Sequence, residues 1–346
     1  MLTIYSDRHR LQDGRVELID GEFKPCFERP ERADLILQSV RDVALGPVED
    51  PREHPDAALA AVHTPAYLAF LQNAWDEWQA AHGDCDALPI NWPTRGLRDV
   101  EPAHIDGKLG YYSFDAGTPI TAGTWQAARS AVDVALTARE RVARGERAVF
   151  ALCRPPGHHA GADSLGGYCF LNNAAVTAQA TLQEGAGRVA ILDIDYHHGN
   201  GTQSIFYQRD DVLFVSLHGD PSTEFPFFLG YADETGAGAG EGANRNYPLP
   251  WGTPFAQWYE ALHDGCAHIG RYAPDVLVVS LGVDTFEGDP ISRFRLQHDD
   301  YLRVGERIAD LDLPTLFVME GGYAVEAIGT NVTNVLRGFE GARAGA

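Results

Sequence analysis

Asp195-Tyr196-His197 sets a carboxylate and an imidazole two residues apart at the end of the apolar run Arg188–Ile194. On an extended strand residues i and i+2 share a face, so both side chains are expected to converge on one point. Asp284, beyond another apolar run, offers a third ligand. Two carboxylates and an imidazole without thiolate suit Zn²⁺ or Fe²⁺ and leave a position open for water. The same residues could instead form a buried Asp–His hydrogen-bond pair, with Asp284 capping a helix. His158-His159 follows Arg154-Pro155-Pro156-Gly157, so both rings stand on a rigid turn, and Gly161 and Gly166-Gly167 allow close approach to a ligand. Beside a metal-activated water the pair could act as general base and then general acid; otherwise these are solvated turn histidines. Asp193 and Asn200 are candidates to fix the ring tautomers. Tyr323, presented by Glu320-Gly321-Gly322, can donate to a developing oxyanion or be a core tyrosine with its hydroxyl tied off.

These residues need a scaffold that collects them. Short β-branched runs recur at Ala148–Leu152, Arg188–Ile194, Val212–Leu217, Asp275–Leu281 and Thr315–Met319. Between them, Ala-rich windows such as Trp125–Val142 and Ala174–Glu184 have helical apolar spacing. The alternation predicts a single α/β domain over residues 1–346, with a central parallel β-sheet flanked by helices. Ligands in such sheets bind at the carboxyl ends of the strands, where four runs deliver His, Asp, Gly and Tyr. Residues 80–117 mix Gly, Pro, Asp and Trp with little periodicity, which predicts an inserted loop. Its Trp92, Tyr111, Tyr112 and Phe114 favour a packed lid or a subunit contact.

Composition narrows the partners. The 346 residues carry 49 acidic and 27 basic side chains, a net charge of −22. Such a field repels nucleic acid and anionic membrane and gathers cations. A hydrophobic content of 45% is enough for a full core and excludes global disorder. The five cysteines include no C-x-x-C pair, which suits free thiols in a reducing compartment. Lys24 and Lys108 are the only lysines, and neither stands in a catalytic motif. With no basic leader and no 18-residue apolar run, a cytoplasmic protein is expected. Gly238-Ala239-Gly240-Glu241-Gly242-Ala243 follows no strand, so it lacks the context of a nicotinamide site.

Several motifs occur together in order. They are Arg154-Pro155-Pro156-Gly157-His158-His159, Gly166-Gly167-Tyr168-Cys169-Phe170-Leu171-Asn172-Asn173, Asp193-Ile194-Asp195-Tyr196-His197-His198-Gly199-Asn200-Gly201-Thr202, Ser216-Leu217-His218 and Glu320-Gly321-Gly322-Tyr323. The chain thereby resembles the zinc-dependent deacetylases of the arginase/deacetylase fold, the superfamily that includes histone deacetylases. Phe27-Glu28-Arg29-Pro30, the run Ile105–Tyr112, Gly219-Asp220-Pro221 and Phe228-Leu229-Gly230-Tyr231 make it most similar to bacterial acetylpolyamine amidohydrolases.

The resemblance implies zinc at Asp195, His197 and Asp284, with His159 as general base and then acid. It implies that His158, paired with Asp193, tunes electrostatics, and that Tyr323 holds the oxyanion. It also implies a structural monovalent cation, K⁺, near Asp193, Asp195, His197, Ser216 and Leu217. Tyr168 and Phe225 would flank a narrow channel with Gly167 and Ile291 on its wall. Asp106 would read the distal ammonium of a small acetylated amine. Gly117 stands where such enzymes carry Glu, and Asp115 is the expected substitute, with a preference shifted toward shorter diamines. The inserted loop implies a homodimer whose partner narrows the entrance. The rival readings are a protein acetyl-lysine deacetylase, a two-manganese ureohydrolase lacking one full metal site here, and a non-catalytic acyl-binding protein.

Overall fold

Strands covered on both faces read as continuous apolar runs, because neither face meets water. The computed structural model describes residues 1–344. Its strands are β1 (Leu2–Ile4), β2 (Glu17–Ile19), β3 (Glu22–Lys24), β4 (Val48–Glu49), β5 (Ala148–Ala151), β6 (Val189–Asp193), β7 (Val212–Gly219), β8 (Asn244–Leu249), β9 (Val276–Leu281) and β10 (Thr315–Met319). Its helices are α1 (Glu31–Asp42), α2 (Ala57–Ala60), α3 (Pro65–His82), α4 (Ile105–Tyr112), α5 (Thr124–Ala143), α6 (Asn173–Gln183), α7 (Asn200–Phe206), α8 (Phe255–Tyr272), α9 (Asp300–Ala309) and α10 (Val325–Ala344). Eight strands form one sheet in the order β4-β1-β5-β10-β9-β6-β7-β8, and every pairing in it is parallel. The remaining two, β2 and β3, form a separate antiparallel hairpin.

Alternation along each strand splits the core into two layers. In β6, Ala190 and Leu192 join a layer that contains Phe317, Trp258, Tyr301 and Phe339 from β10, α8, α9 and α10. Val189 and Ile191 face the other way, into a layer with Ala135 of α5 and Ala174 of α6. A third cluster packs α3 and α4 onto the body through Tyr67, Phe70, Ile105, Tyr112 and Phe170.

The sheet is wider than the five apolar runs suggest. β1 and β4 are three and two residues long, too short to show a period, and β8 reads Asn-Arg-Asn-Tyr-Pro-Leu. β4 and β8 are the edges, where covering is partial and polar residues are tolerated. The segment 80–117 is also corrected. α3 runs to His82, and Ile105–Tyr112 is a helix, so the irregular parts of the segment are residues 83–104 and 113–117. Gly107 and Gly110 weaken the local helical signal, and burial of Ile105, Leu109 and Tyr112 outweighs it.

The topology places the site. The strands β5, β10, β9 and β6 are consecutive in the sheet, although they are separated widely in sequence. His158 and His159 follow β5, Tyr323 follows β10, Asp284 follows β9, and Asp195 and His197 follow β6.

Candidate active site

Asp193 ends β6, so Asp195 and His197 lie beyond the strand, in a bend. Strand alternation is therefore not what brings them together. The bend is laced by its own carboxylates. Asp195 N–H donates to Asp193 Oδ1 (3.2 Å), His197 N–H to Asp195 Oδ1 (2.9 Å) and Tyr196 N–H to Asp284 Oδ1 (2.7 Å). Gly321 N–H, from the turn after β10, donates to Asp195 Oδ2 at 2.7 Å. One ligand atom from each of Asp195, His197 and Asp284 lies within 4.8 Å of the others. His197 Nδ1 is 3.0 Å from Asp284 Oδ2 and 3.4 Å from Asp195 Oδ1.

This cluster is short of positive charge. Burial, then the neighbouring Asp195, pushes Asp284 up to about 8. Burial also opposes the charge on Asp195, but His158 and His197 outweigh it and hold that carboxyl below its usual range. Burial opposes the His197 imidazolium in turn, and Asp195 and Asp284 raise it. Among the described residues no Lys or Arg pairs with either aspartate. Two buried carboxylates and an imidazole converging without such a partner fit a divalent cation of the Zn²⁺ or Fe²⁺ kind.

The histidine pair stands beside this set, with ring centroids 4.0 Å apart. His158 Nδ1 meets Asp193 Oδ2 at 2.9 Å, and His159 Nδ1 meets Asn200 Oδ1 at 2.7 Å. The two partners differ in charge, and the rings part accordingly. Burial works against charging His158, but Asp193 and Asp195 override it and push the ring up to about 10. Burial, then the charged His158 and His197, drives His159 well below the ordinary histidine value. One ring is thus held as imidazolium and the other as neutral imidazole.

Tyr323 is 7% exposed, and burial pushes its phenol upward, so it stays a donor. The turn before it is held by Arg32, which donates from Nε to Gly322 O (2.6 Å) and from Nη2 to Glu320 O (2.7 Å). The same guanidinium lies 4.7 Å from the Tyr323 ring centroid. Glu28 Oε1 accepts from Arg32 Nη1 (2.8 Å) and from Arg154 Nε (2.7 Å). Glu320 Oε2 accepts the amides of Gly157 (2.6 Å) and His158 (3.2 Å), which joins the Tyr323 turn to the histidine turn.

Aromatic rings wall the pair. Phe225 lies 5.1 Å from His159 and 6.1 Å from His197, and Phe114 lies 5.7 Å from Phe225 and 6.4 Å from His159. Tyr168, in the left-handed region at φ 65°, meets Tyr323 at 5.5 Å. Gly167 has φ +54°, and a Cβ there would lie 2.1 Å from His159 Cδ2, so no larger residue fits. Ile291 is tied to this region through its amide, which donates to Asp289 Oδ1 at 3.1 Å.

The two acidic residues expected at the substrate end are placed differently. Asp115 Oδ1 accepts from Gly117 N–H at 2.9 Å and Oδ2 accepts from Gly167 N–H, so its carboxylate shapes the Gly166–Tyr168 turn. It is not a free substitute for a missing glutamate. Asp106, on the first turn of α4, has its partners on the outer surface, His82 at 2.6 Å and His104 at 3.5 Å. Neither is a residue of the buried cluster. Asp115 and Glu17 both lie 3.9 Å from where a Cβ on Gly117 would stand, and Glu17 too is already engaged, by Phe27 N–H and the Tyr168 hydroxyl.

Comparison with known proteins gives this geometry a family. The histone deacetylase domain family matches residues 26–339. Acetylpolyamine amidohydrolase 2 of Pseudomonas aeruginosa is 63% identical, over 99% of both chains. The chain belongs to the histone deacetylase family. This deacetylase is also 50% identical to the acetylpolyamine amidohydrolase of Mycoplana ramosa, over 99% of this chain and 100% of that one. The crystal structure of acetylpolyamine aminohydrolase from Burkholderia pseudomallei superposes with a TM-score of 0.93 at 39% identity, covering 99% of each chain. The deacetylase is therefore an enzyme, and it is similar to acetylpolyamine amidohydrolases over its full length.

Sequence reasoning passed over several residues that shape the deacetylase site. Arg32 acts across 288 or more positions, so no local pattern signals it, whereas Glu320 stands in the Tyr323 motif and only its bonds to Gly157 and His158, across 162 or more positions, go unsignalled. Phe114 was read with the lid, and it stacks on the Phe225 wall instead. Asp289 gives no sequence signal either, because its burial between exposed Gly288 and Pro290 arises only in the fold.

Proposed function

We propose that this deacetylase hydrolyses the acetamide of small, linear, cationic acetylated amines such as acetylputrescine and acetylcadaverine. The observation that carries the reaction is the histidine pair, His158 bonded to Asp193 and His159 to Asn200, beside the buried Asp195–His197–Asp284 set. Held by those three residues, Zn²⁺ or Fe²⁺ supplies Lewis acidity that polarises the amide carbonyl and activates water.

The chain's own groups supply the rest. With Nδ1–H donated to Asn200, His159 has Nε2 free to take the proton of the attacking water. The resulting imidazolium returns that proton to the amine nitrogen as the C–N bond breaks, so water and amide become acetic acid and amine, which leave as acetate and ammonium. His158, already charged against Asp193, gives a fixed positive field rather than a base. The Tyr323 phenol donates to the oxygen that becomes negative, and Arg32 and Gly321 hold its turn against the ligand set.

The substrate class is supported by the acetylpolyamine amidohydrolase relatives at 63% and 50% identity and by a net charge of −22, which favours encounter with cations. The walls formed by Phe114, Tyr168 and Phe225, with Gly167 and Ile291, suit an alkyl chain. Neither Asp106 nor Asp115 presents a free carboxylate to that channel within one chain. We assign the reading of the distal ammonium to a homodimer, in which a second copy brings its own 83–112 segment and Asp106 to the entrance. Ile90, Leu97 and Val100 on that segment are 80%, 60% and 48% exposed, an apolar surface that a second copy would cover. A sedimentation mass of one chain would sink the dimer.

A monovalent cation such as K⁺ is proposed where β6 ends beside Ser216 of β7. Asp193 and Ser216 are in register there, both fully buried, with Asp195, His197 and Leu217 alongside. Among the described residues no helix is long and apolar enough to cross a membrane. All five cysteines are unpaired, which supports a cytoplasmic setting.

Acetate release from acetylputrescine tests the reaction. Exhaustive chelation is expected to abolish it, and restoring about one Zn²⁺ or Fe²⁺ per chain is expected to return it. Undiminished turnover in the fully stripped protein would refute the proposed chemistry.

A further inference from the structure

Asp289 is buried within an exposed turn: it is 7% exposed, whereas Gly288 and Pro290 beside it are open to solvent. Its Oδ2 accepts the amides of Tyr323 (2.7 Å) and Ala324 (3.2 Å), and its Oδ1 accepts the amide of Ile291 (3.1 Å). A carboxylate removed from water needs compensation. Among the described residues no Lys or Arg pairs with Asp289, so these three amides supply it. Two of them lead directly into α10, whose N-terminal end carries partial positive charge and favours an anion.

The placement has a consequence for Tyr323. The turn carries Gly321 and Gly322, the second at φ +132°, and such a pair leaves the following residue poorly fixed by its own backbone. Arg32 restrains what precedes Tyr323 by binding the carbonyls of Glu320 and Gly322. Asp289 restrains Tyr323 itself, and the same carboxylate accepts the amide of Ile291, the residue expected on the channel wall. A side chain that sets both the phenol's backbone and the neighbouring wall controls the reach of one relative to the other.

We propose that Asp289 is a positioning residue for Tyr323, a role that rests on the amide hydrolysis proposed above. Its carboxylate fixes the distance from which the phenol meets the scissile carbonyl and locks that distance to the Gly288–Ile291 wall. Its three hydrogen bonds all go to backbone amides outside the Asp195–His197–Asp284 set, and it acts through that of Tyr323.

A double-mutant cycle tests this. kcat, KM and zinc content are measured with acetylputrescine for Asp289→Ala, Asp289→Asn, Tyr323→Phe and the Asp289→Ala/Tyr323→Phe double variant. Asp289→Ala is expected to lower kcat by about 10- to 100-fold, the scale of an ångström-level misplacement, with KM and zinc content little changed. In the Tyr323→Phe background the same change is expected to cost under about 3-fold more, because the phenol it positions is gone. Asp289→Asn can still accept from Tyr323 and Ala324 through Oδ1, while its Nδ2 opposes the Ile291 amide, so most of kcat is expected back.

Losses that multiply fully in the double variant would overturn the proposal, as would wild-type kcat in Asp289→Ala. If Asp289→Ala does not fold, Asp289→Glu, which keeps the charge but displaces it by a methylene, takes its place with the same expected pattern. If the wild type releases acetate from neither acetylputrescine nor an acetylated peptide, the functional reading itself has failed. Hydrogen exchange then decides the clamp. Protection of the Tyr323 and Ala324 amides should fall by about tenfold or more in the variant, and unchanged protection overturns it.

Discussion

Asp284→Asn is expected to remove metal binding and turnover together while leaving the folded chain more stable without metal. Asparagine keeps the Oδ1 that accepts from Tyr196 N–H at 2.7 Å, so the bend after β6 retains its lacing. What it removes is one of two buried carboxylates that disfavour each other, the cause that follows burial in pushing Asp284 up to about 8. Replacing partners outside the ligand set commonly costs about 10- to 100-fold in metal affinity, so losing a ligand should cost at least the upper figure. The wild type should gain thermal stability on metal addition, on the order of 4 kcal/mol at 1,000 times the dissociation constant. The variant should show almost none of that gain, and its metal-free melting temperature should equal or exceed that of the metal-free wild type. Calorimetry with and without Zn²⁺, beside metal analysis, checks all three. A metal-dependent shift of wild-type size in Asp284→Asn would mean that the ion is held elsewhere.

His159→Ala is the second large effect, and it should be of a different kind. Metal content should stay unchanged, because His159 Nδ1 faces Asn200 and the ring lies outside the Asp195–His197–Asp284 set. Turnover should fall by about 10²- to 10⁴-fold, the span for a positioned general acid–base group. Burial and then the charged His158 lower the His159 ring below its ordinary 6.5, and a divalent cation on His197 would act in the same direction, so the ring is already neutral above that value. The acid limb of the pH–rate profile should therefore lie below 6.5 in the wild type and be absent in the variant. His158→Ala should retain more activity than His159→Ala. The reverse order would exchange the roles of the two rings.

Much of this site is legible in the sequence because it follows strands. Thr315–Met319 is a strand as read, and the other four runs agree within two residues at either end. His158, His159, Asp195, His197, Asp284 and Tyr323 are found where short motifs interrupt apolar runs. The reason given for Asp195 and His197 is nevertheless incorrect, since both lie past the end of β6 and are gathered by backbone hydrogen bonds from Tyr196, His197 and Gly321. Periodicity describes elements, and a bend of this kind has none. Arg32 and Asp289 escape notice for a related reason. Each acts on the Tyr323 turn from a distant part of the chain, and only the packing of α1 and of the post-β9 loop against that turn makes them neighbours. The substrate end is the least legible. Asp115 looks available as a carboxylate in sequence, yet two glycine amides consume it, and Asp106 faces outward beside His82.

The central claim is that a deacetylase site of this kind serves small cationic amines rather than protein lysines. It is tested most directly by kcat/KM for acetylputrescine or acetylcadaverine against an acetylated histone-tail peptide, on the same metal-loaded protein. The acetylated diamine is expected to be turned over at least about 100-fold more efficiently, the order of discrimination available when a charged group is left unpaired in the wrong complex. Equal or faster turnover of the peptide would contradict the account.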